Sequence, residues 1–182
     1  QKTAYEIVSR DWSSDVCSSD LANCGLTMAE TAEKLAEQYG VTREEADRVA
    51  LVSQQRAKAA WDAGRFDAEI APVTIKSRKG EVQYRADEHM RPDTTPEALA
   101  ALRPYFKKDG LVTAGNASGI GDGAAACVVA DEAWATQEGL RPIGRLLSWG
   151  FAGVDPSIMG IGPAPAARRA LAKAGLTLEQ ID

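Results

Sequence analysis

Glycine, alanine and small polar residues crowd one stretch of the chain, 112–126, VTAGNASGIGDGAAA, in a pattern suited to binding. Nearly every side chain there is small or absent, and Gly115, Gly119, Gly121 and Gly123 permit positive φ or close backbone approach. Asn116, Ser118 and Asp122 add hydrogen-bonding groups. The block runs straight into AAACVVA, a core-like sequence, so its polar groups are expected to be held against a buried strand. That suits a thin, flexible ligand laid along backbone. Nucleophilic and ligating side chains are scarce by contrast. Cys17, Cys24 and Cys127 form neither a disulfide framework nor a CxxC pair, and His89 is the single histidine. A His-rich metal site is excluded, and no metal ligand is assigned.

The whole chain, 182 residues at 45% hydrophobic and 26% charged, is long and apolar enough to build a real core in one or two domains. The formal charge of -5 argues against a nucleic-acid or anionic-membrane partner. No apolar run approaches the roughly 18 residues of a membrane span. Cysteine usage fits a reducing, cytoplasmic setting.

The first twenty-one residues, QKTAYEIVSRDWSSDVCSSDL, differ in character from the rest of the chain. They show no sustained helical or strand period and no secretory signal. QKTAYEI and DWSSDVCSSDL back-translate in one frame onto two fixed stretches of a common sequencing adapter, so residues 1–21 are read as translated library DNA. The alternative is a natural Ser/Asp-rich disordered arm. Removing them takes out two basic and four acidic side chains, and the remainder stays acidic.

The elements that must position the block are legible from caps and periods. Thr27-Met28-Ala29-Glu30 reads as a capping box opening a helix that stops at Gly40. Thr42-Arg43-Glu44-Glu45 opens a second, to about Gly64, with Ala46, Val49, Ala50, Ser53, Ala57, Ala60 and Trp61 expected to face the core. A hairpin comes next, with strands at 72–76 and 81–85 around Ser77-Arg78-Lys79-Gly80. A short helix is expected at 96–102 behind Thr95. Then come a short strand at Val112 and Thr113, the small-residue loop, a buried strand at 124–129, a helix at 131–138, a strand at 143–149, a Gly-rich loop at 150–162 and a helix at 165–174. Thr177-Leu178-Glu179-Gln180 is a further capping box. The alternation predicts a layered α/β domain. The chain stops where another strand is expected, and is read as cut at both ends.

Residues 112–126 closely resemble the TAGNASGxxDGAAA signature of thiolases, which make or cleave 3-oxoacyl-CoA thioesters. REEADRVALVSQQRAKAAWDAGRF, EIAPV, RADEHMRPDTT, LRPYFKKDG, SWGFAGVDPSIMGIGPAPA and KAGLTLEQID resemble successive thiolase segments in order, so the likeness spans residues 22–182. It implies a five-layered αβαβα fold, here incomplete. Residues 22–115 match the loop domain that covers CoA, 116–142 the end of the N-terminal half, and 143–182 the start of the C-terminal half.

The resemblance also implies binding positions. Arg91 matches a basic residue near the CoA nucleotide, where guanidinium can stack on adenine or pair with phosphate; a solvated surface arginine is the other reading. Ser118 matches the serine that hydrogen-bonds the pantetheine arm, or is a turn-forming serine. Ala114, Gly115 and Gly119 match the backbone wall along pantetheine. Phe106 matches an apolar cofactor contact, with core packing equally open. Met28 matches a methionine at the acyl-thioester end, against plain helix-terminus packing. Two positions depart from the pattern. Thr27 stands where some short-chain members carry His, and Ala98 where many carry Ser.

The catalytic set is missing. The family's nucleophilic cysteine lies upstream of this segment; its NEAF motif, GHP histidine and CxG cysteine lie downstream. Cys127 reads as an inert core thiol and His89 as a surface histidine, so no catalytic residue is assigned. GFAGVDPSIMGIGP lacks the GK[ST] ending of a P-loop. The resemblance implies a fragment of an acetyl-CoA C-acyltransferase that condenses two acyl-CoAs or cleaves 3-oxoacyl-CoA through a cysteine acyl-enzyme. No permanently bound cofactor is implied, with the CoA thioester as substrate, and the parent is expected to be a homodimer or homotetramer. A non-catalytic thiolase-like CoA- or lipid-binding protein is the alternative.

Overall fold

The computed structural model describes residues 24–78, 80–119, 121 and 123–182. The adapter reading of residues 1–21, Cys17, the turn residue Lys79 and the loop residue Asp122 lie outside them.

Helix α1, Met28–Tyr39, begins at the expected capping box. The Glu30 N–H donates to Thr27 Oγ1 at 3.2 Å and the Thr27 N–H to Glu30 Oε2 at 2.8 Å, satisfying two of the helix's orphan donors. It ends at Gly40, whose φ of 67° is left-handed and unfavourable to a Cβ. Helix α2, Arg43–Asp62, repeats the device, with Thr42 and Glu45 bonded at 2.9 and 3.2 Å. Of the residues expected to face the core, Ala46, Ala50, Ala57, Ala60 and Trp61 are half-buried. Val49 and Ser53 point to solvent, and the buried residue on α2 is Asp47. Hydrophobic periodicity cannot anticipate the polar contacts that bury Asp47 on the inner face.

The hairpin forms, displaced by one residue from the expected bounds. Strands β1, Val73–Ser77, and β2, Gly80–Tyr84, pair antiparallel. Val73↔Tyr84 and Ile75↔Val82 alternate with Thr74↔Gln83 and Lys76↔Glu81, so one face is apolar and the other polar. Gln83 Nε2 donates to Thr74 Oγ1 at 2.7 Å across the polar face. Helix α3, Pro96–Ala100, is capped by Thr95, whose Oγ1 accepts from the Ala98 N–H at 3.1 Å.

Helix α4, Glu132–Gln137, is capped by Asp131, which accepts from the Ala133 and Trp134 N–H groups. A 3-10 segment, Pro156–Ile161, leads into helix α5, Pro163–Ala174. α5 starts two residues before the expected Pro165, because Pro163 at its first turn has no N–H to leave unpaired. The last capping box opens a single 3-10 turn, Leu178–Gln180. α1 packs on the Pro156–Ile161 segment and α2 on α3. Among the described residues the buried apolar ones are Ala36, Leu99, Val112 and Ala135.

Three expected strands are not formed. Val112 and Thr113 are buried, Thr113 completely, but lie outside any ladder. Residues 124–129 and 143–149 have no regular structure, and Val128 is 94% exposed. Cys127, expected in the core, is exposed with them. An isolated strand has backbone donors and acceptors on both edges and needs neighbours to satisfy them. Among the described residues the hairpin is the only sheet, so the α/β pattern is written here without the strands that would complete it.

Candidate functional site: a small-residue loop held by two carboxylates

The loop at 111–119 is held from two sides. From α1, the buried Glu33 accepts the Leu111 N–H at 3.0 Å and the Val112 N–H at 2.7 Å, one on each carboxylate oxygen. From α2, Asp47 Oδ1 accepts from Asn116 Nδ2 at 2.9 Å. The same Nδ2 donates to the Leu111 carbonyl at 2.7 Å, and Asn116 Oδ1 accepts the Thr113 N–H at 2.8 Å. Asn116 therefore folds the loop back on itself and ties the fold to α2. Arg43 completes the frame. Its Nε donates to Asp47 Oδ2 at 2.7 Å, and its Nη2 donates to the Leu99 and Leu102 carbonyls, at 2.7 and 3.0 Å, at the end of α3. Charge-assisted bonds to backbone in a partly buried setting are stronger than neutral ones, so three helices fix one loop.

Small residues answer to this packing. A Cβ on Gly115 would stand 2.5 Å from Leu99 Cδ2 and 2.6 Å from Leu102 Cδ1. A Cβ on Gly119 would run into the His89 imidazole. Absence of a side chain at Gly115 is thus required by the core beneath the loop. Ala114, Ser118 and Gly119 are exposed, and form the surface the loop presents. That surface is a short stretch of backbone with one hydroxyl, able to bond a secondary amide and too small to obstruct a thin chain.

The other positions named from sequence surround this frame. Arg91 is exposed on the connection after β2. Its N–H donates to Gln54 Oε1 of α2 at 2.8 Å, and its carbonyl accepts from Thr94 Oγ1 at 2.8 Å. The backbone bearing the guanidinium is therefore anchored to the same helix as Asp47. Phe106 is half-buried and meets Tyr105 edge-on, ring centroids 5.1 Å apart. Met28 is the first residue of α1 and 46% exposed. Glu33, five residues further along that helix, grips the loop, a rise of roughly 7–8 Å. Cys24, half-buried before α1, and the exposed Cys127 are both free thiols.

α1 also reaches the second Gly-rich loop. Lys34 Nζ donates to the buried Ser157 Oγ at 2.5 Å. The Ser157 N–H, then its hydroxyl and the Lys34 charge, hold the Asp155 carboxyl below its ordinary value. At the other end of α1, the Thr27 N–H and then its hydroxyl hold Glu30 below its ordinary value. A hollow beside the hairpin, lined by Phe66, Ile70, Val73, Tyr84 and Arg85, includes none of the loop residues.

Sequence reasoning found the loop and missed its clamps. Asn116 was visible as a polar group among small ones. Glu33 lies in a helix that also carries Glu30 and Glu37, with nothing in its spacing to mark it as the buried one. Among the described residues no group of three His, Cys, Asp or Glu side chains could hold a metal ion. No described helix is long and apolar enough to cross a membrane.

Comparison with known proteins gives this geometry its context. The family model for the thiolase N-terminal domain matches residues 8–133, and that for the thiolase C-terminal domain residues 140–182. The human mitochondrial 3-ketoacyl-CoA thiolase is 53% identical over 86% of this chain, and an acetyl-CoA acetyltransferase of Rhizobium meliloti 51% identical over 87%. The chain spans 40% of the length of each. A crystal structure of the human mitochondrial 3-ketoacyl-CoA thiolase in complex with CoA superposes with a TM-score of 0.81 at 49% identity, covering 92% of this chain and 41% of that one. The fold expected from the alternating elements is thus the thiolase α/β fold, present in part, and the chain belongs to the thiolase family.

Proposed function

We propose that the chain supplies the pantetheine-facing wall of an acetyl-CoA C-acyltransferase that condenses two acyl-CoAs or thiolytically cleaves 3-oxoacyl-CoA. In the condensing direction a cysteine thiolate attacks a thioester carbonyl, the carbon–sulfur bond breaks, and CoA leaves after taking up a proton. The acyl group then passes to the α-carbon of a second acyl-CoA, which gives up a proton. The reacting cysteine lies outside this chain. Within the chain, Ser118 offers a hydroxyl to the pantetheine amides, Ala114, Gly115 and Gly119 form the wall, Arg91 meets the nucleotide, and Phe106 and Met28 supply apolar contacts along and at the acyl end of the ligand. A homodimeric or homotetrameric parent, a cytoplasmic setting and a role in fatty acid metabolism complete the proposal; the two free thiols fit a reducing compartment. Nothing observed favours the non-catalytic CoA- or lipid-binding alternative.

The observation that carries this reading is the clamped loop with Ala114 and Ser118 exposed, in a chain about half identical to a thiolase solved with CoA. Calorimetric titration of the 182-residue chain with CoA, beside an assay for acetoacetyl-CoA thiolysis, tests it. Binding without turnover is expected. Absence of binding would overturn the CoA assignment, and robust turnover would overturn the placement of the nucleophile elsewhere.

A further inference from the structure

The geometry points to Glu33 as a positioning residue for the ligand-bearing loop: its carboxylate sets where residues 111–119 stand relative to α1, and through that the affinity for the pantetheine arm. The inference rests on the CoA reading above. Glu33 is the only buried carboxylate that α1 contributes, and its two oxygens each take one backbone N–H from adjacent residues, Leu111 and Val112. Consecutive amides bonded to one carboxylate fix both the height and the direction of the strand-like segment that enters the loop. Gly110 shows how close the fit is, since a Cβ there would lie 2.8 Å from Glu33 Cδ and 3.0 Å from Oε2. The glycine lets the carboxylate sit directly beneath the chain. Glu33 touches none of the exposed loop surface at Ala114 and Ser118 in this bonding pattern. It acts through the backbone it holds. Met28 at the start of the same helix and Ser157 bonded by Lys34 one residue on make α1 the common reference for the acyl end, the pantetheine loop and the second Gly-rich loop.

The conservative change Glu33→Gln keeps size and shape but replaces one acceptor oxygen with an amide NH2, leaving the Leu111 or Val112 N–H facing a donor. Because that orphans a buried N–H, CoA affinity of the 182-residue chain is expected to fall on the order of tenfold. Amide hydrogen exchange separates positioning from simple destabilisation. Faster exchange is expected at Leu111 to Ala117, with unchanged protection at Ala36 and in α2. Gly110→Ala provides a second route to the same clamp, pushing on the carboxylate from the loop side without altering α1, and is expected to weaken CoA binding in the same way. Wild-type chain that fails to bind CoA would overturn the CoA reading itself. Wild-type binding with undiminished affinity in both variants, or protection lost equally at Ala36 and across α2, would overturn the role of Glu33 alone.

Discussion

Two regions of this chain carry apolar sequence and end in opposite conditions. Residues 111–119 are pinned, with Val112 and Thr113 buried and every bond of the frame drawn from side chains within the chain. The segments at 124–129, AAACVV, and 143–149, IGRLLSW, are mostly apolar in sequence, yet Val128, Val129, Leu146 and Leu147 lie exposed. The difference is where the hydrogen-bond partners come from. A carboxylate on a neighbouring helix can satisfy a loop locally. A strand needs other strands, and the described residues supply none to these two segments. The chain spans 40% of its relatives' length, and the bonds that hold the loop are all made within it.

The largest expected effect comes from attacking the frame at its junction. Asp47→Ala would take the carboxylate partner from Arg43 Nε and from one Asn116 amide hydrogen while their bonds to the Leu99, Leu102 and Leu111 carbonyls remain, and is expected to destabilise by about 2–3 kcal/mol in denaturant titration. A cost below experimental error would mean the loop is ordered by something else. Gly115→Ala should come next at about 1–3 kcal/mol, since its methyl meets Leu99 and Leu102 at overlap distance. Thr27→Ala should cost about 1 kcal/mol by removing a helix cap. The same cap gives a pH dependence. Glu30 is held below its ordinary carboxylate value in the fold, so its contribution is present above that value and is lost as pH falls through the lower, folded one. Local fraying of α1 under acid, followed by the Glu30 carboxyl resonance, is the check; fraying that sets in on the alkaline side would contradict the sign. The smallest effect is expected from the other region. Leu146→Glu should change stability by no more than about 0.5 kcal/mol and reduce binding of a hydrophobic dye. A large loss would show that residues 143–147 are packed, as Ser148 and Trp149 are against α5.

Legibility in the sequence tracks the range of the interactions involved. The boxes at Thr27 and Thr42, the cap at Thr95 and the stops at Gly40 and Gly175 are local, and each appears where expected. The burial of Asp47 on α2 is not legible, because it faces inward to meet Arg43 and Asn116, partners 4 and 69 residues away in sequence. The strands at 124–129 and 143–149 were legible as patterns, but a pattern states a preference and a ladder needs a partner. In the site, the small-residue loop announced itself through composition. The residue that holds it from α1, Glu33, is one glutamate among several, identified only when Leu111 and Val112 come to rest above it.

The claim that the ligand-bearing loop is ordered from within the chain while the strand segments are not is tested most directly by amide hydrogen exchange on the unmodified 182-residue chain. The expected result is strong protection at Val112, Asn116 and Ala117, whose N–H groups are bonded in the frame, beside exchange at the free-chain rate across 124–129 and 143–147, the stretch before Ser148 and Trp149 meet α5. Equal, low protection in both regions would show that the loop is not ordered by these bonds.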